Sequence, residues 1–393
     1  MRMLIQTKEV IQKRFLLISN AVNFLFFAVS IFLFSPAASA FENEVEVSLF
    51  RAVWPIKRLI FKGSFKIVRP LDGKIFSDCE LSVPSAGYFE LRSCKYPLSR
   101  PLKIHSQSLE LASNGRALCL GPSLSSLRRY KGSLKIRALP DASLSCLNLV
   151  SLRDYVSSVV GSETQVEFPK EALKAQSVLV QTSMLHYKKG DQLNDSTEKQ
   201  AYLGADYVSS AVKEAVRESW GERLLCQGRP VPIYFHASCA GGTSSSRYFS
   251  DKIPTLKCDR AVKCEYCRDA QFWKASRQRI AAAIFAKAFP DGVPEIVKWD
   301  ESGRPFMLKF PSGKQQLAYS FWLQLGQKLG WDRLPGSRFE IRKLQDSSVE
   351  LSSRGGGHGV GLCQWGAAGL ARQGAEHKRI LEFYFPGAVL TKP

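Results

Sequence analysis

The chain has no internal repeat and no low-complexity tract. That excludes solenoids, propellers and repeat arrays, and it leaves no segment that composition alone would keep unfolded. Its strands and helices do not alternate in regular βαβ units, which excludes a doubly wound parallel sheet. Acidic residues are also in short supply, 35 against 55 Lys and Arg, for a formal charge of +20. A field of that sign attracts anionic partners such as nucleic acid, anionic lipid or the carboxylates of cell-wall peptides. The basic residues are scattered (Arg51, Lys57, Arg58, Lys62, Lys66, Arg69) and mark no single helix face, so a generally solvated basic surface is the alternative.

The first 40 residues narrow the choice of partner. Arg2, Lys8, Lys13 and Arg14 precede an apolar run from Phe15 to Phe34, and Ala38-Ser39-Ala40 forms an A-x-A site. This reads as a secretory signal peptide with the mature chain starting at Phe41. The run is about 20 residues, also enough to span a bilayer, so an uncleaved inner-membrane anchor is the alternative. Both place the bulk of the chain outside the cytoplasm, in the periplasm or cell envelope, and make nucleic acid the poorest partner. Without those 40 residues the net charge is +17.

Residues 41–148 alternate short apolar runs with turn residues, as in Val45 to Phe50, Gly63 to Val68, Gly87 to Leu91 and Gly132 to Arg137. They are expected to form a small β-rich N-terminal domain. Residues 149–393 mix helical and strand periodicities. Helices are expected over Asp206–Trp220, Ile280–Phe289, Leu317–Leu329, Gln364–Gln373 and Glu376–Phe385. Hairpins are expected to turn at Gln227-Gly228, at Glu301-Ser302-Gly303 and near Asp346. The fold class is α+β.

Two segments carry chemistry. In the first, Leu152, Tyr155, Val156, Val159 and Val160 follow helical spacing, and Pro169 suits the first position of a second helix. Glu163 then sits at the C-terminal end of the first helix, where the negative end of the dipole disfavours its charge and raises its pKa, as a general acid needs. Glu167 and Glu171 are rival acids, but Glu171 falls in a first helical turn, where the dipole lowers its pKa. In the second segment, Ser353 to Gly369, five glycines within seven residues surround His358. Such a loop brings main chain close to a neighbour.

These stretches resemble the SpoIID family, which includes sporulation protein D and amidase-enhancer proteins. Leu152 to Thr182, Gln200-x-Tyr202-x-Gly204, Phe235 to Thr243 and Gly355 to Ala367 follow its four ordered motifs, over about Val150 to Leu390. The family's E-M-P is Glu163-Thr164-Gln165 here, its M-S is Leu362-Cys363, and Gln181 stands where Arg is usual. The resemblance implies lytic transglycosylase action on peptidoglycan glycan strands, often strands stripped of stem peptides, with Glu163 as the catalytic acid. Gln364 and His358 are then expected to hydrogen-bond the glycan or to orient Glu163, and Gln200 and Tyr202 to contact the glycan. The amidase-enhancer branch implies a different role, a non-enzymatic wall-binding stimulator of an N-acetylmuramoyl-alanine amidase.

Ten cysteines in an exported chain invite disulfides. Cys79, Cys94, Cys119 and Cys146 are expected to form two bridges, and Cys226 and Cys363 stand isolated. His236, Cys239, Cys258, Cys264 and Cys267 offer enough ligands for one structural zinc. The competing reading is two disulfides among these cysteines. Redox catalysis is a poor fit, because no thioredoxin-like βαβ pattern surrounds Cys264-x-x-Cys267. A zinc hydrolase built on His236 would need an open coordination position and a base beside it.

Overall fold

In the computed structural model the described residues are 44–392, apart from 85–87, 94–100, 116, 188–190, 192, 197–199, 254–255 and 272. The signal segment, the first residue of the Gly87 run and Cys94 therefore lie outside the described residues. Among the described residues no helix is long and apolar enough to cross a membrane.

The N-terminal segment folds as two antiparallel-rich sheets. The seven-stranded sheet runs Leu193–Asn194, Glu44–Ser48, Leu144–Ser151, Ser133–Ala138, Ser108–Ser113, Ser64–Arg69, Lys74–Ser77. The six-stranded sheet runs Arg128–Tyr130, Leu118–Gly121, Arg58–Lys62, Cys79–Ser82, Phe89–Ser93, Leu102–Ile104. In the central strands, such as Arg58–Lys62, Ser108–Ser113, Ser133–Ala138 and Leu144–Ser151, alternate residues are buried, as the period of two requires. Leu59, Phe61, Phe65, Ile67, Leu109, Leu111, Leu134 and Ile136 are all buried, and Phe61 stacks on Phe65 across the sheets at 4.6 Å.

The boundary expected at 148/149 falls inside the strand Leu144–Ser151, and Glu42–Pro393 form one compact unit. Later residues complete the early sheet: Leu193–Asn194 pairs in parallel with Glu44–Ser48, and Asp195 accepts hydrogen bonds from the N–H groups of Phe50 and Arg51.

Among the described residues seven α-helices follow: α1 (Leu152–Glu163), α2 (Lys170–Ser183), α3 (Ser210–Glu218), α4 (Ala282–Ala288), α5 (Ala318–Leu329), α6 (Gln364–Arg372) and α7 (His377–Tyr384). Ser151 caps α1 by accepting from the Asp154 N–H, and Pro169 stands at the N-cap of α2. Helix α2 is buried along most of its length and packs against α1, α3, α6 and α7. Residues 276–354 add two three-stranded sheets with α4 and α5 around Phe285, Phe289, Phe310, Phe321 and Phe339. The α+β class follows from these mixed elements.

The three expected hairpins form: Arg223–Cys226 with Arg229–Pro230, Glu295–Trp299 with Pro305–Lys309, and Arg338–Lys343 with Val349–Arg354. The expected pair of N-terminal disulfides does not. Cys119 and Cys146 are unbridged and lie on different sheets, Cys119 in the six-stranded and Cys146 in the seven-stranded one.

Candidate functional site

Glu163 is the last residue of α1 and half-buried. Burial pushes its carboxyl above the ordinary range, with the Ala201 N–H and the Gln364 side chain opposing the shift. Desolvation is thus the main cause of a shift that the sequence suggested through the helix dipole. The Ala201 N–H donates to Glu163 Oε1 at 2.5 Å. Gln364 opens α6, and its amide lies beside the carboxylate, yet its Nε2 is buried and completes no hydrogen bond of normal geometry. A buried donor whose hydrogen bond is poorly aligned costs stability.

The Gln200-x-Tyr202 segment acts through its backbone, because Ala201 is its contact with Glu163. Tyr202 is only 1% exposed. Its hydroxyl donates to Asn148 Oδ1 at 2.6 Å, and its ring stacks on Tyr155 at 5.4 Å. A glycan has no access to such a side chain, so the expected substrate contact is corrected to a packing role. Gln200 donates to Ser183 Oγ at 2.9 Å and accepts from the Tyr155 hydroxyl at 3.4 Å, joining α1 to the end of α2. Of the rival acids, Glu167 is exposed. Burial alone would raise Glu171, but the His377 N–H, the Lys174 ammonium and the His377 ring outweigh it and hold the carboxyl low.

The glycine loop runs against residues 234–240. Phe235–His236 pairs in parallel with Leu362–Cys363, and the Trp365 N–H donates to the Ala237 carbonyl at 3.0 Å. Gly359 and Gly361 have φ of +79° and +72°. A Cβ on Gly359 would fall 2.2 Å from Arg304 Nε, and one on Gly361 would fall 2.1 Å from the Tyr234 carbonyl oxygen, so only glycine fits. His358 lies with Phe249 and His236, ring centroids 5.2 and 5.7 Å away. Burial, then the Arg304 charge, lowers His358 to about 4, and burial lowers His236 well below its ordinary value. Both rings are neutral at pH 7. His236 Nδ1 meets the Val360 carbonyl at 3.1 Å, while its Nε2 is buried without a partner.

Sequence reasoning missed Arg304. It is 1% exposed and donates to the carbonyls of Cys239 and Gly242, both at 2.6 Å, and to Ser302 and Ser337. One guanidinium thereby fixes the loop that carries His236 and Cys239. An arginine just after a hairpin turn gives no signal of this in a single sequence.

The cysteines are sorted differently from the expectation. Cys258 is bonded to Cys226, so it is no metal ligand and Cys226 is not isolated. His236 is also outside the set. Cys239, Cys264 and Cys267 are joined instead by Cys363, and their four sulfurs lie within 4.8 Å of one another, all buried. A tetrahedral zinc with Zn–S of about 2.3 Å separates its sulfurs by about 3.8 Å, so the four thiols fit such an ion. A Cβ on Gly366 would come 2.8 Å from Cys264 Sγ and 3.2 Å from Cys363 Sγ, so the bare glycine keeps that cradle open. The signal for Cys363 was its place in the motif, where the related pattern has serine.

A model of the family described as SpoIID, Stage II sporulation protein, matches residues 141–225. A protein of Brachyspira hyodysenteriae is 30% identical over 272 residues, 66% of this chain and 71% of that protein. Stage II sporulation protein D of Bacillus subtilis is 27% identical over 268 residues, 62% of this chain and 75% of its own length. The amidase enhancer of Bacillus subtilis is 23% identical over 285 residues, 60% of this chain but 40% of its own length. With Ala201 of the Gln200–Gly204 motif and Gln364 of the last motif both brought against Glu163, these similarities establish that the chain belongs to the SpoIID family.

Proposed function

We propose that this chain works at the cell wall as an exported lytic transglycosylase of peptidoglycan, with Glu163 as its single acid–base residue. The observation that carries the reading is the setting of Glu163. Burial favours its protonated form, as a general acid requires, against the opposing pull of the Ala201 N–H and Gln364. Glycosidases that use water as nucleophile, or form a covalent intermediate, need two carboxylates. A lytic transglycosylase needs one. The protonated carboxyl gives its proton to the glycosidic oxygen as the bond from C1 to that oxygen breaks. The sugar's own C6 hydroxyl then forms a bond to C1, and the carboxylate takes the hydroxyl proton back. No water is consumed, and the product ends in a 1,6-anhydro sugar. The Gln364 amide beside the carboxyl suits a sugar oxygen next to the acid.

The test is mass spectrometry of peptide-stripped and intact peptidoglycan incubated with the purified chain or with Glu163→Gln. The expected result is 1,6-anhydro ends, reduced in the variant by about 10²-fold or more. Intact strands after incubation with verifiably folded protein would overturn the reading. The similarity to an amidase enhancer favours one alternative, a wall-bound stimulator of an N-acetylmuramoyl-alanine amidase. Under that reading Glu163→Gln stimulates a purified amidase as well as the parent chain does.

A further inference from the structure

We infer that Cys239, Cys264, Cys267 and Cys363 hold one zinc ion as a closed tetrathiolate site, and that this ion anchors the N-terminus of α6 beside Glu163. The metal site stands apart from the transglycosylase reading; only the consequence for Glu163 touches it. Two features point to thiolates on a metal. The first is convergence. All four sulfurs lie within 4.8 Å, with Cys239 and Cys267 at 3.5 Å, spacings that suit a shared ion and exceed a bond, whereas Cys226 and Cys258 are bonded in the same fold. The second is the donors aimed at sulfur. The N–H groups of Cys239 and Gly366 each reach Cys363 Sγ at 3.3 Å, and the Tyr384 hydroxyl meets Cys264 Sγ at 3.2 Å. A dianionic zinc tetrathiolate needs such partners, which orient the ligands and spread the charge. Cys363 is also the N-cap of α6, so the cluster sits at the start of that helix.

The consequence is mechanical. Cys239 leads into the strand Gly241–Thr243, which pairs with Val262–Cys264, and Cys267 follows within one turn. Cys363 belongs to the glycine-loop segment, and the next residue is Gln364. A single ion therefore clamps three chain segments, and the last of them presents the amide beside Glu163. With four sulfur ligands the ion has no open position, so its work is to hold the loop and to bind no substrate.

Metal analysis of the purified full chain is expected to give one zinc per chain. After denaturation in chelator, alkylation and peptide mapping should find all four cysteines as thiols. Absence of metal, together with any of the four in a disulfide, overturns the site. Replacing zinc with cobalt should produce the sulfur-to-cobalt charge-transfer absorption of a tetrahedral thiolate site, and a spectrum without it overturns the site equally. Cys363→Ser should weaken zinc binding by more than about 10-fold, with Cys363→His restoring most of it. If Cys363→Ser does not fold, the zinc content and cobalt spectrum of the parent chain decide. For the anchor, hydrogen exchange on adding chelator should speed up at 362–372 and spare residues 133–138 of the N-terminal sheet. Unchanged exchange at 362–372 with the zinc removed overturns the link to α6.

Discussion

Glu163 and His358 are both shifted by burial, in opposite directions. The carboxyl of Glu163 is raised from 4.5, so the folded chain keeps that proton to a higher pH than the unfolded chain does. Stability from this group is full below 4.5 and declines as pH rises through the folded value. Glu163→Gln carries no charge, and its side-chain oxygen still accepts from the Ala201 N–H. The variant is expected to melt above the parent at about pH 8, with the gap closing toward pH 4.5. A gap of the same size at both ends would show that burial of the charge is not its origin. His358 has the reverse sign. Its folded value is about 4 against an ordinary 6.5, held there by burial and by Arg304. Above 6.5 its contribution is complete. Between 6.5 and about 4 the unfolded chain takes up a proton that the native ring refuses, and stability falls. His358→Gln should flatten the dependence of the urea midpoint on pH across that window, and parallel curves would contradict it. His236, Tyr234, Phe249 and Arg304 are the groups beside this ring, and Arg304 carries the fixed charge among them.

At the scale of elements, the start of α6 combines the most constraints. Gly366 lies inside that helix, where alanine would ordinarily be the better residue by about 1 kcal/mol. Here its Cβ would sit 2.1 Å from the Tyr384 hydroxyl as well as against two cysteine sulfurs. Gly366→Ala is expected to cost about 1–3 kcal/mol of stability, measured by denaturant midpoint, and to lower the zinc content with it. A stabilised variant would mean that the packing of α7 on α6 is looser than the distances imply. The starts of α1 and α2 were legible in the sequence, because the apolar spacing from Leu152 and the fixed φ of Pro169 are local signals. The hairpins were legible for the same reason, since turn chemistry is local. The pairing of cysteines was not. Cys226 meets Cys258 across 32 residues, and Cys363 joins a set whose other members lie about a hundred residues earlier, distances fixed only by the folded chain. The role of Arg304 escaped for that reason too: its partners at Cys239 and Gly242 are more than sixty positions away.

For the molecule as a whole, the sheets of residues 44–148 and the helices that follow are mutually dependent. Asn148 accepts from the Tyr202 hydroxyl while its amide donates to the carbonyls of Lys131 and Ser133, both at 2.9 Å. Tyr130 packs on Tyr202 at 6.1 Å, and a Cβ on Gly204 would strike the Arg129 carbonyl oxygen at 2.3 Å. The segment 200–204 is therefore held from beneath by the early sheets, and that same segment donates the Ala201 N–H to Glu163. A domain boundary at 148/149, natural from the change in periodicity, would cut through the strand Leu144–Ser151 and remove the partners of Asn148 and Tyr202. Residues 149–393 expressed alone would expose Tyr155 and Tyr202, which are 2% and 1% exposed in the whole chain. They would also leave the polar groups of 200–204 without their acceptors. The expected outcome is a truncated chain that lacks a cooperative melt and binds 1-anilinonaphthalene-8-sulfonate, while the full chain melts in one transition. A truncated chain that melts cooperatively, with Glu163 still perturbed, would show that the sheets serve binding alone and contribute nothing to the shape of the site.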